Sequence, residues 1–282
     1  MKSYLECYPC WVRQSIEASR LAGADESQQY RIMRQVITEL QNFPIEETPP
    51  EMAYRIHHIV RNSLGNGDPY RSAKQASTRQ ALALYPRLKA LVAESHDPLD
   101  TAMRISVAGN IIDLGVTQDY DLDGNLERVM QESFAIDHFS QFRQAVAANR
   151  EILFIGDNAG ETVFDRILIE TLDIPVTYVV RGGPIINDVT HEDAVAAGLD
   201  RVATIVDSGV AVPGTLLNHC SQEFQHRFHA AHLIIAKGQG NYEGLSGLDA
   251  PIFFALQAKC PVIATDLGVP LKSFILKSEL AR

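Results

Sequence analysis

Two carboxylates and an amide follow a short apolar run at residues 152–155, and they belong to Asp157, Asn158 and Glu161. A continuous apolar run of this length predicts a buried parallel strand. Ligands of open α/β sheets bind beyond the carboxyl ends of the strands, so these side chains are predicted to lie where chemistry takes place. Asp157 and Asn158 offer the hard oxygen ligands that Mg²⁺ and Mn²⁺ prefer. The alternative is a turn that only caps the next helix, because Asp and Asn are common N-cap residues.

The elements that must position these side chains form a regular series. Helix-length segments separate five apolar runs with the character of strands, which are Ile152–Ile155, Val176–Val180, Val202–Val206, Leu233–Ala236 and Val262–Ala264. Strands that alternate with helices predict βαβ units and a parallel sheet. Polar or glycine-rich sequence follows each of the first four runs. We therefore expect acids, amides and an ammonium group to share one edge of the sheet.

A metal site is predicted at this edge from Asp157, Asn158 and Asp188. Divalent Mg²⁺ or Mn²⁺ often takes a few protein oxygens and completes its coordination with water and a substrate phosphate. Such a metal would polarise a phosphoryl oxygen and orient a nucleophile. The alternative for Asp188 is a structural one, since Thr190 is typical of a helix N-cap and Asp188 would then support that turn.

An anion site is predicted after the fourth run, where Lys237 opens a loop that contains Gly238, Gly240 and Asn241. Backbone N–H groups and one ammonium can hold a phosphate, and an amide can donate to its oxygens. The order of residues is not that of a Walker A motif. A solvated lysine at a strand end is the alternative. For Lys259, the residues alone favour an ordinary lysine at the end of a helix.

Two further patterns remain open. Cys7 and Cys10 form a CxxC motif, but a structural zinc site needs four ligands, so the pair is interpreted as structural or as part of a metal site. Asn110 and Asp113 lie one helical turn apart and would face a pocket together, or else satisfy buried backbone groups.

Composition limits the classes of function. The chain has 282 residues, 46% of them hydrophobic and 21% charged, which is ordinary for a globular protein. A formal charge of −10 argues against a nucleic-acid binder. No apolar stretch is long enough for a membrane helix, and no signal peptide is visible. Four cysteines in a chain of this length are not a disulfide scaffold, so a reducing cytoplasm is the expected compartment. Residues 1–148 are predicted to be mostly helical and residues 149–282 to be α/β, packed as one unit.

Seven strings in one order resemble a known family, the metal-dependent damage-control phosphatases with an ARMT-like metal-binding domain. The resemblance is to the bacterial and archaeal branch that carries an N-terminal CxxC, and it covers almost the whole chain. The strings are Cys7–Cys10, Asp68–Tyr70 with Lys74, Gly109–Asp113, Gly156–Glu161, Asn187–Thr190, Lys237–Glu243 and Lys259–Cys260.

The resemblance implies a three-layer α/β/α sandwich with a mostly parallel sheet and an all-helical N-terminal subdomain. It implies a divalent metal on Asp157, Asn158 and Asp188. It also implies substrate contacts from residues 239–243 and from Lys259.

Together, the residues and the resemblance predict a phosphatase of small phosphorylated metabolites, such as sugar phosphates or related damaged metabolites, that depends on Mg, Mn, Co or Ni. Asp157 is either the nucleophile or only a ligand, so a phospho-aspartyl intermediate and attack by a metal-activated water both stay open. Glu161 would position a water or a substrate hydroxyl. The expected substrate-binding residues are Lys237, Gly238, Gln239, Gly240, Asn241, Tyr242, Lys259 and Asn110.

Two other functions are compatible with the sequence. One is a methyltransferase that uses S-adenosylmethionine, although the turn after the first run lacks several glycines. The other is a non-catalytic protein that binds a phosphorylated metabolite. No nucleic-acid or membrane partner is expected.

Overall fold

The structure, a computed structural model, describes residues 1–65, 67–109, 128 and 130–280. The predicted α/β class is confirmed, with helices and a mostly parallel sheet. The helices of the described residues are α1 (Cys7–Leu21), α2 (Glu26–Asn42), α3 (Pro49–Leu64), α4 (Arg71–Glu94), α5 (Pro98–Gly109), α6 (Phe139–Ala148), α7 (Thr162–Leu172), α8 (His191–Ala196), α9 (Gln222–Ala230), α10 (Gly238–Leu245) and α11 (Pro261–Leu267).

The described sheet has seven strands in the order β1-β7-β6-β5-β2-β3-β4. Only β7 runs antiparallel to its neighbour β6, while the other described pairs are parallel. The strands are β1 (Ile136–Asp137), β2 (Ile152–Ile155), β3 (Val176–Val180), β4 (Thr204–Asp207), β5 (Ile234–Lys237), β6 (Ile252–Gln257) and β7 (Phe274–Ser278).

Both faces of the sheet are covered, which explains why the central strands read as continuous apolar runs. Phe154 of β2 packs into a core with α4 to α8, whereas Leu153 and Ile155 pack into a second core with α9 to α11. Helices α1 to α3 enclose a third, separate cluster around Trp11 and Ile56. The layers are therefore helices, sheet and helices, with an additional helical unit at the N-terminus.

The last predicted strand is wrong. Val262–Ala264 lies in helix α11, and the strand of this region is β6, which begins ten residues earlier at Ile252. Pro261 occupies the first turn of α11, where its fixed φ and missing N–H suit a helix start. The predicted loop after β5 is also a helix, α10, which begins directly at Gly238.

The division of the chain at residue 148 stays a prediction. Strand β1 comes from the part predicted to be helical, and it pairs with β7 at the edge of the sheet. Helices α4 and α5 pack on α7, so the two parts share extensive contacts. None of the described helices has the length and apolar character to cross a membrane.

Candidate active site

The candidate site lies where the order of the strands changes direction. Strand β2 is followed in the chain by its neighbour β3, while β5 lies on its other side. Such a switch point leaves a crevice beyond the carboxyl ends of the two strands. Asp157 follows β2 and Gly238 follows β5, and a Cβ on Gly238 would lie only 1.8 Å from Asp157 Oδ2. The two segments are thus in direct contact at the crevice.

Backbone pairing brings the three predicted metal ligands together. Asn158 and Asp188 form an isolated antiparallel bridge. The N–H of Val189 donates to the carbonyl of Asp157 at 2.8 Å, and the N–H of Ala159 donates to the carbonyl of Asn187 at 3.0 Å. The segments after β2 and β3 therefore run side by side, although thirty residues separate them in the chain.

The two carboxylates of this set are buried with like charge. Asp157 is 8% exposed and Asp188 is 4% exposed. Burial, together with the carboxylates of Glu161 and Asp188, raises the pKa of Asp157 to about 8. Burial also raises the pKa of Asp188, against the opposing effect of the Arg181 guanidinium. A divalent cation would relieve this repulsion, since close like charges disfavour each other's ionised form.

Arg181, which sequence reasoning gave no role, holds four segments of the site in place. Its Nε donates to Asp188 Oδ2 at 2.7 Å, and its Nη2 donates to the carbonyl of Gly156 and to Asn241 Oδ1, both at 3.3 Å. Its Nη1 donates to Thr215 Oγ1 at 3.4 Å. The only signal in the sequence is a basic residue at the end of a strand, which does not reveal what it contacts.

Lys237, the expected phosphate contact, lies away from the cavity. The side chain is fully buried, and Nζ lies 2.5 Å from oxygens of Glu161 and Asp165 and 2.9 Å from the carbonyl of Ser106. Although burial opposes the charge, the two carboxylates raise the pKa of Lys237, so it stays an ammonium. Lys237 is not among the residues that line the cavity. Its charge balances buried acids instead.

Glu161 is likewise buried, at 2% exposure, and does not line the cavity. One of its oxygens accepts from Lys237 Nζ, and the other accepts from Asn158 Nδ2 at 3.3 Å. Asn158 Nδ2 also donates to Asp157 Oδ2 at 3.0 Å. The structure thus places Glu161 against a predicted metal ligand rather than against the open space of the cavity.

Helix α10 turns some expected substrate contacts inward. Asn241 Nδ2 donates to the carbonyls of Gly156 and Lys237, and its Oδ1 accepts from Thr215 Oγ1 at 2.8 Å, so the amide is used within the protein. Tyr242 donates its hydroxyl proton to Asp266 at 2.7 Å and is 4% exposed. Neither side chain lines the cavity, because the helical turn directs both into the protein.

A cavity of about 510 Å³ is lined by most of the remaining expected residues, although Gly238 is not among them. Asp157, Asn158, Asp188, Gln239, Gly240 and Lys259 all line it. Lys259 lies between β6 and α11, so it belongs to the same edge of the sheet and not to the end of a helix. Asn110 and Asp113 lie outside the residues that the structure describes.

The donor set suits a hard divalent cation that retains open positions. Two buried carboxylates and one amide supply oxygen ligands, and Mg²⁺ is commonly bound by one or two carboxylates together with substrate phosphate. Within the described part of the chain, no three or more His, Cys, Asp or Glu residues are arranged to hold a metal. The three oxygen ligands of Asp157, Asn158 and Asp188 would leave further positions of a bound cation for water and a ligand.

Comparisons with known proteins identify the family of the chain. A sequence model described as the damage-control phosphatase ARMT1-like domain matches residues 3–275. A damage-control phosphatase from Pyrococcus horikoshii is 34% identical over 277 residues, which cover 96% of this chain and 96% of that protein. A damage-control phosphatase from Archaeoglobus fulgidus is 34% identical over 246 residues, covering 84% of this chain and 85% of the relative. An uncharacterised protein from Methanocaldococcus jannaschii is 32% identical over 288 residues, with 96% and 93% coverage.

The fold is also similar to a solved structure. The crystal structure of a DUF89 family protein from Pyrococcus horikoshii superimposes with a TM-score of 0.91 at 32% identity, and the match covers 99% of each chain. The similarity therefore extends over the helical N-terminal unit as well as the sheet.

Proposed function

The chain belongs to the ARMT1-like damage-control phosphatase family, and we propose that it is a divalent-metal-dependent phosphatase of small phosphorylated metabolites. One observation carries this proposal. Two buried carboxylates, an amide, an exposed lysine and the start of a helix converge on one cavity, although they come from four strand ends. Relatives that are named damage-control phosphatases support the reaction class.

In this proposal Asp157, Asn158 and Asp188 hold the metal, which supplies Lewis-acid polarisation of a phosphoryl oxygen when bound. Arg181 keeps Asp188 in position by occupying its Oδ2, together with the N–H of Gly214 at 3.2 Å. The other oxygen of Asp188 has no such described partner, and we assign it to the metal.

The phosphate would lie between Lys259 and the first turn of α10. The first N–H groups of a helix have no acceptor within the helix, and the helix dipole favours an anion there. Gln239 and Gly240 belong to this turn and line the cavity. Lys259 adds an exposed ammonium that neutralises charge on the phosphoryl oxygens.

Glu161 and Lys237 act on the ligands in this scheme and not on the substrate. Lys237 holds Glu161, and Glu161 accepts from the amide of Asn158. Because that amide nitrogen donates to Glu161 and Asp157, the oxygen of Asn158 is left to face a cation. The pair is thus assigned to orientation of the metal ligand.

The test is phosphate release from a panel of sugar phosphates and nucleotides by chelated protein, before and after addition of Mg²⁺, Mn²⁺, Co²⁺ or Ni²⁺. We expect release only with metal, and a loss of at least about a hundredfold in Asp157→Asn. Asp207→Asn is the matched control, because Asp207 also ends a strand but does not line the cavity. Calorimetric Mn²⁺ binding, measured in parallel, should disappear in Asp157→Asn alone.

Failure has two distinct forms in this test. Binding of Mn²⁺ without release of phosphate from any compound would replace the phosphatase with a non-catalytic binding protein. Release that persists in chelated protein or in Asp157→Asn would remove the metal centre from the proposal.

A further inference from the structure

Three of the four cysteines lie on the wall of the same cavity. Cys7 and Cys10 reach it from the first turn of α1, and Cys260 reaches it from the residue before α11. All of them are free thiols. Cys220 lies elsewhere, in the core between the sheet and α9. The thiols of this chain are therefore concentrated beside the candidate active site, and the phosphatase scheme above uses none of them.

Cys10 and Cys7 differ in access. Cys10 is exposed, and Arg13 Nη2 donates to its sulfur at 3.7 Å, so a positive charge accompanies this thiol. Cys7 is 8% exposed, and burial raises the pKa of its thiol to about 11. The thiolate is the form that attacks a disulfide, and it must also be accessible. Attack on an external molecule would therefore begin at Cys10.

The spacing of the two residues suits an intramolecular bond. Residues three apart in an α-helix lie on one face, with Cα atoms about 5 Å apart. Disulfides join Cα atoms that are roughly 4.4–6.8 Å apart. Cys260 comes from a distant part of the chain, and its sulfur accepts from Gln239 Nε2 at 3.5 Å.

We propose that Cys10 and Cys7 form a reversible thiol–disulfide site in the cavity wall, whose ligands are low-molecular-weight disulfides. The Cys10 thiolate attacks one sulfur of the small disulfide, forms a mixed disulfide and releases one thiolate. The Cys7 sulfur then attacks Cys10 Sγ, releases the second small thiolate and gives up its proton to it. The protein dithiol is oxidised to one disulfide, and the small disulfide is reduced to two thiols.

The test uses the full-length protein with oxidised glutathione, followed by alkylation, trypsin digestion and mass spectrometry. Trypsin cuts after Lys2 and Arg13, so one peptide, residues 3–13, carries both cysteines. In the oxidised wild-type protein we expect this peptide to lack alkyl groups and to be lighter by two hydrogens than the reduced peptide. Dithiothreitol should restore two alkylation sites. This measurement needs no variant and no phosphatase activity.

Variants assign the two roles. Cys7→Ser should trap one glutathione on Cys10, whereas Cys10→Ser should slow modification of residues 3–13 by about tenfold or more. Cys260→Ser is the matched control from the same cavity and should behave like the wild-type protein. A wild-type peptide that stays fully alkylated, or a disulfide from Cys10 to Cys260, would overturn the proposal. Modification of Cys10→Ser at the wild-type rate would do the same.

Discussion

At the scale of single residues, the tightest packing at the site is between Gly238 and Asp157. Gly238 has a φ of +77°, a left-handed conformation that favours glycine. A Cβ at this position would lie 1.8 Å from Asp157 Oδ2 and 2.2 Å from its Cγ. Glycine is therefore required twice, for the backbone at the start of α10 and for the space that the carboxylate occupies.

We expect Gly238→Ala to displace the Asp157 carboxylate and to weaken Mn²⁺ binding by about tenfold or more, as measured by calorimetry. Gly247→Ala is the matched control, because Gly247 has a φ of +82° but nothing within 4 Å of its Cβ position. Both variants pay about 1–2 kcal/mol for the left-handed backbone. Equal Mn²⁺ affinity in the two variants would contradict the steric argument.

His57 is a second residue whose environment has a measurable consequence. It is 6% exposed, and its Nε2 has no hydrogen-bond partner among the described residues. Burial, reinforced by the nearby charge of Arg61, lowers the pKa of His57 from 6.5 to about 4. Between these two values the unfolded chain binds a proton that the folded protein does not bind. The protein therefore loses stability as the pH falls through this window.

The expected loss from His57 between pH 7 and pH 4 is roughly 3 kcal/mol of the free energy of unfolding. Urea unfolding at several pH values should show it in the wild-type protein. His57→Phe keeps a ring at this position but cannot titrate. Between pH 7 and pH 4 its free energy of unfolding should therefore fall by roughly 3 kcal/mol less than that of the wild-type protein. Parallel pH profiles for the two proteins would exclude His57 as the source.

At the scale of elements, a buried ion cluster ties α4 to the segment that carries Asp188. Lys74 of α4 is 2% exposed, and its Nζ lies 2.9 Å from Asp68 Oδ2 and 2.7 Å from Asp193 Oδ2. Asp193 Oδ2 also accepts from the N–H of Thr190 at 3.0 Å and from its hydroxyl at 2.6 Å, which caps α8. Thr190 is two residues after Asp188, so the cluster holds in place the chain segment that follows this predicted metal ligand.

Lys74→Met should destabilise the protein by about 3–5 kcal/mol, because it leaves the buried carboxylate of Asp193 and the half-buried one of Asp68 without their cation. Arg71→Met provides the control, since Arg71 joins the same two helices through Glu192 in an exposed ion pair. We expect no measurable change for that variant. Chemical denaturation gives both values. Similar losses in the two variants would mean that burial of the cluster is not what matters.

At the scale of the whole molecule, the candidate site gathers acidic side chains in a buried position, which opposes folding. Asp157 and Asp188 are buried beside each other, and Glu161 adds a third nearby carboxylate. Two cations offset part of this negative charge, since Lys237 contacts Glu161 and Arg181 contacts Asp188. A ligand that binds only the folded protein stabilises it according to its concentration and affinity. Metal binding should therefore be visible in global stability.

Without metal, the free energy of unfolding of Asp157→Asn is expected to exceed that of the wild-type protein by about 1–2 kcal/mol, because asparagine has no ionised form that burial beside other acids disfavours. With Mn²⁺ at a hundred times its dissociation constant, the wild-type protein should gain about 2.7 kcal/mol and the variant nothing. The order of stability then reverses. Thermal and urea unfolding of chelated and Mn²⁺-loaded samples measures this, and an unchanged order would argue against a cation at Asp157.

Local patterns in the sequence determined much of the architecture. The runs Ile152–Ile155 and Val176–Val180 are strands with the predicted limits, because a strand buried on both faces must be apolar at every position. The predicted limits of the next two strands, Val202–Val206 and Leu233–Ala236, lie one or two residues before those in the structure. Polar turns after successive strands also predicted that their side chains share one edge of the sheet, since the carboxyl ends of parallel strands lie on the same side. The order of strands in the sheet was not predicted.

The tertiary structure alone decided which polar groups meet. The sequence predicts a phosphate contact for Lys237, but its ammonium lies against Asp165 of α7 and Glu161, the residue before that helix. No local pattern reveals a partner more than seventy residues away in the chain. Arg181 was overlooked for the same reason. Tyr242 lies in a helix where the sequence predicts a loop, and its hydroxyl donates to Asp266 instead of facing the cavity. Contacts between distant segments depend on how helices and strands pack. The packing therefore decides which polar groups come within hydrogen-bond distance of a given side chain.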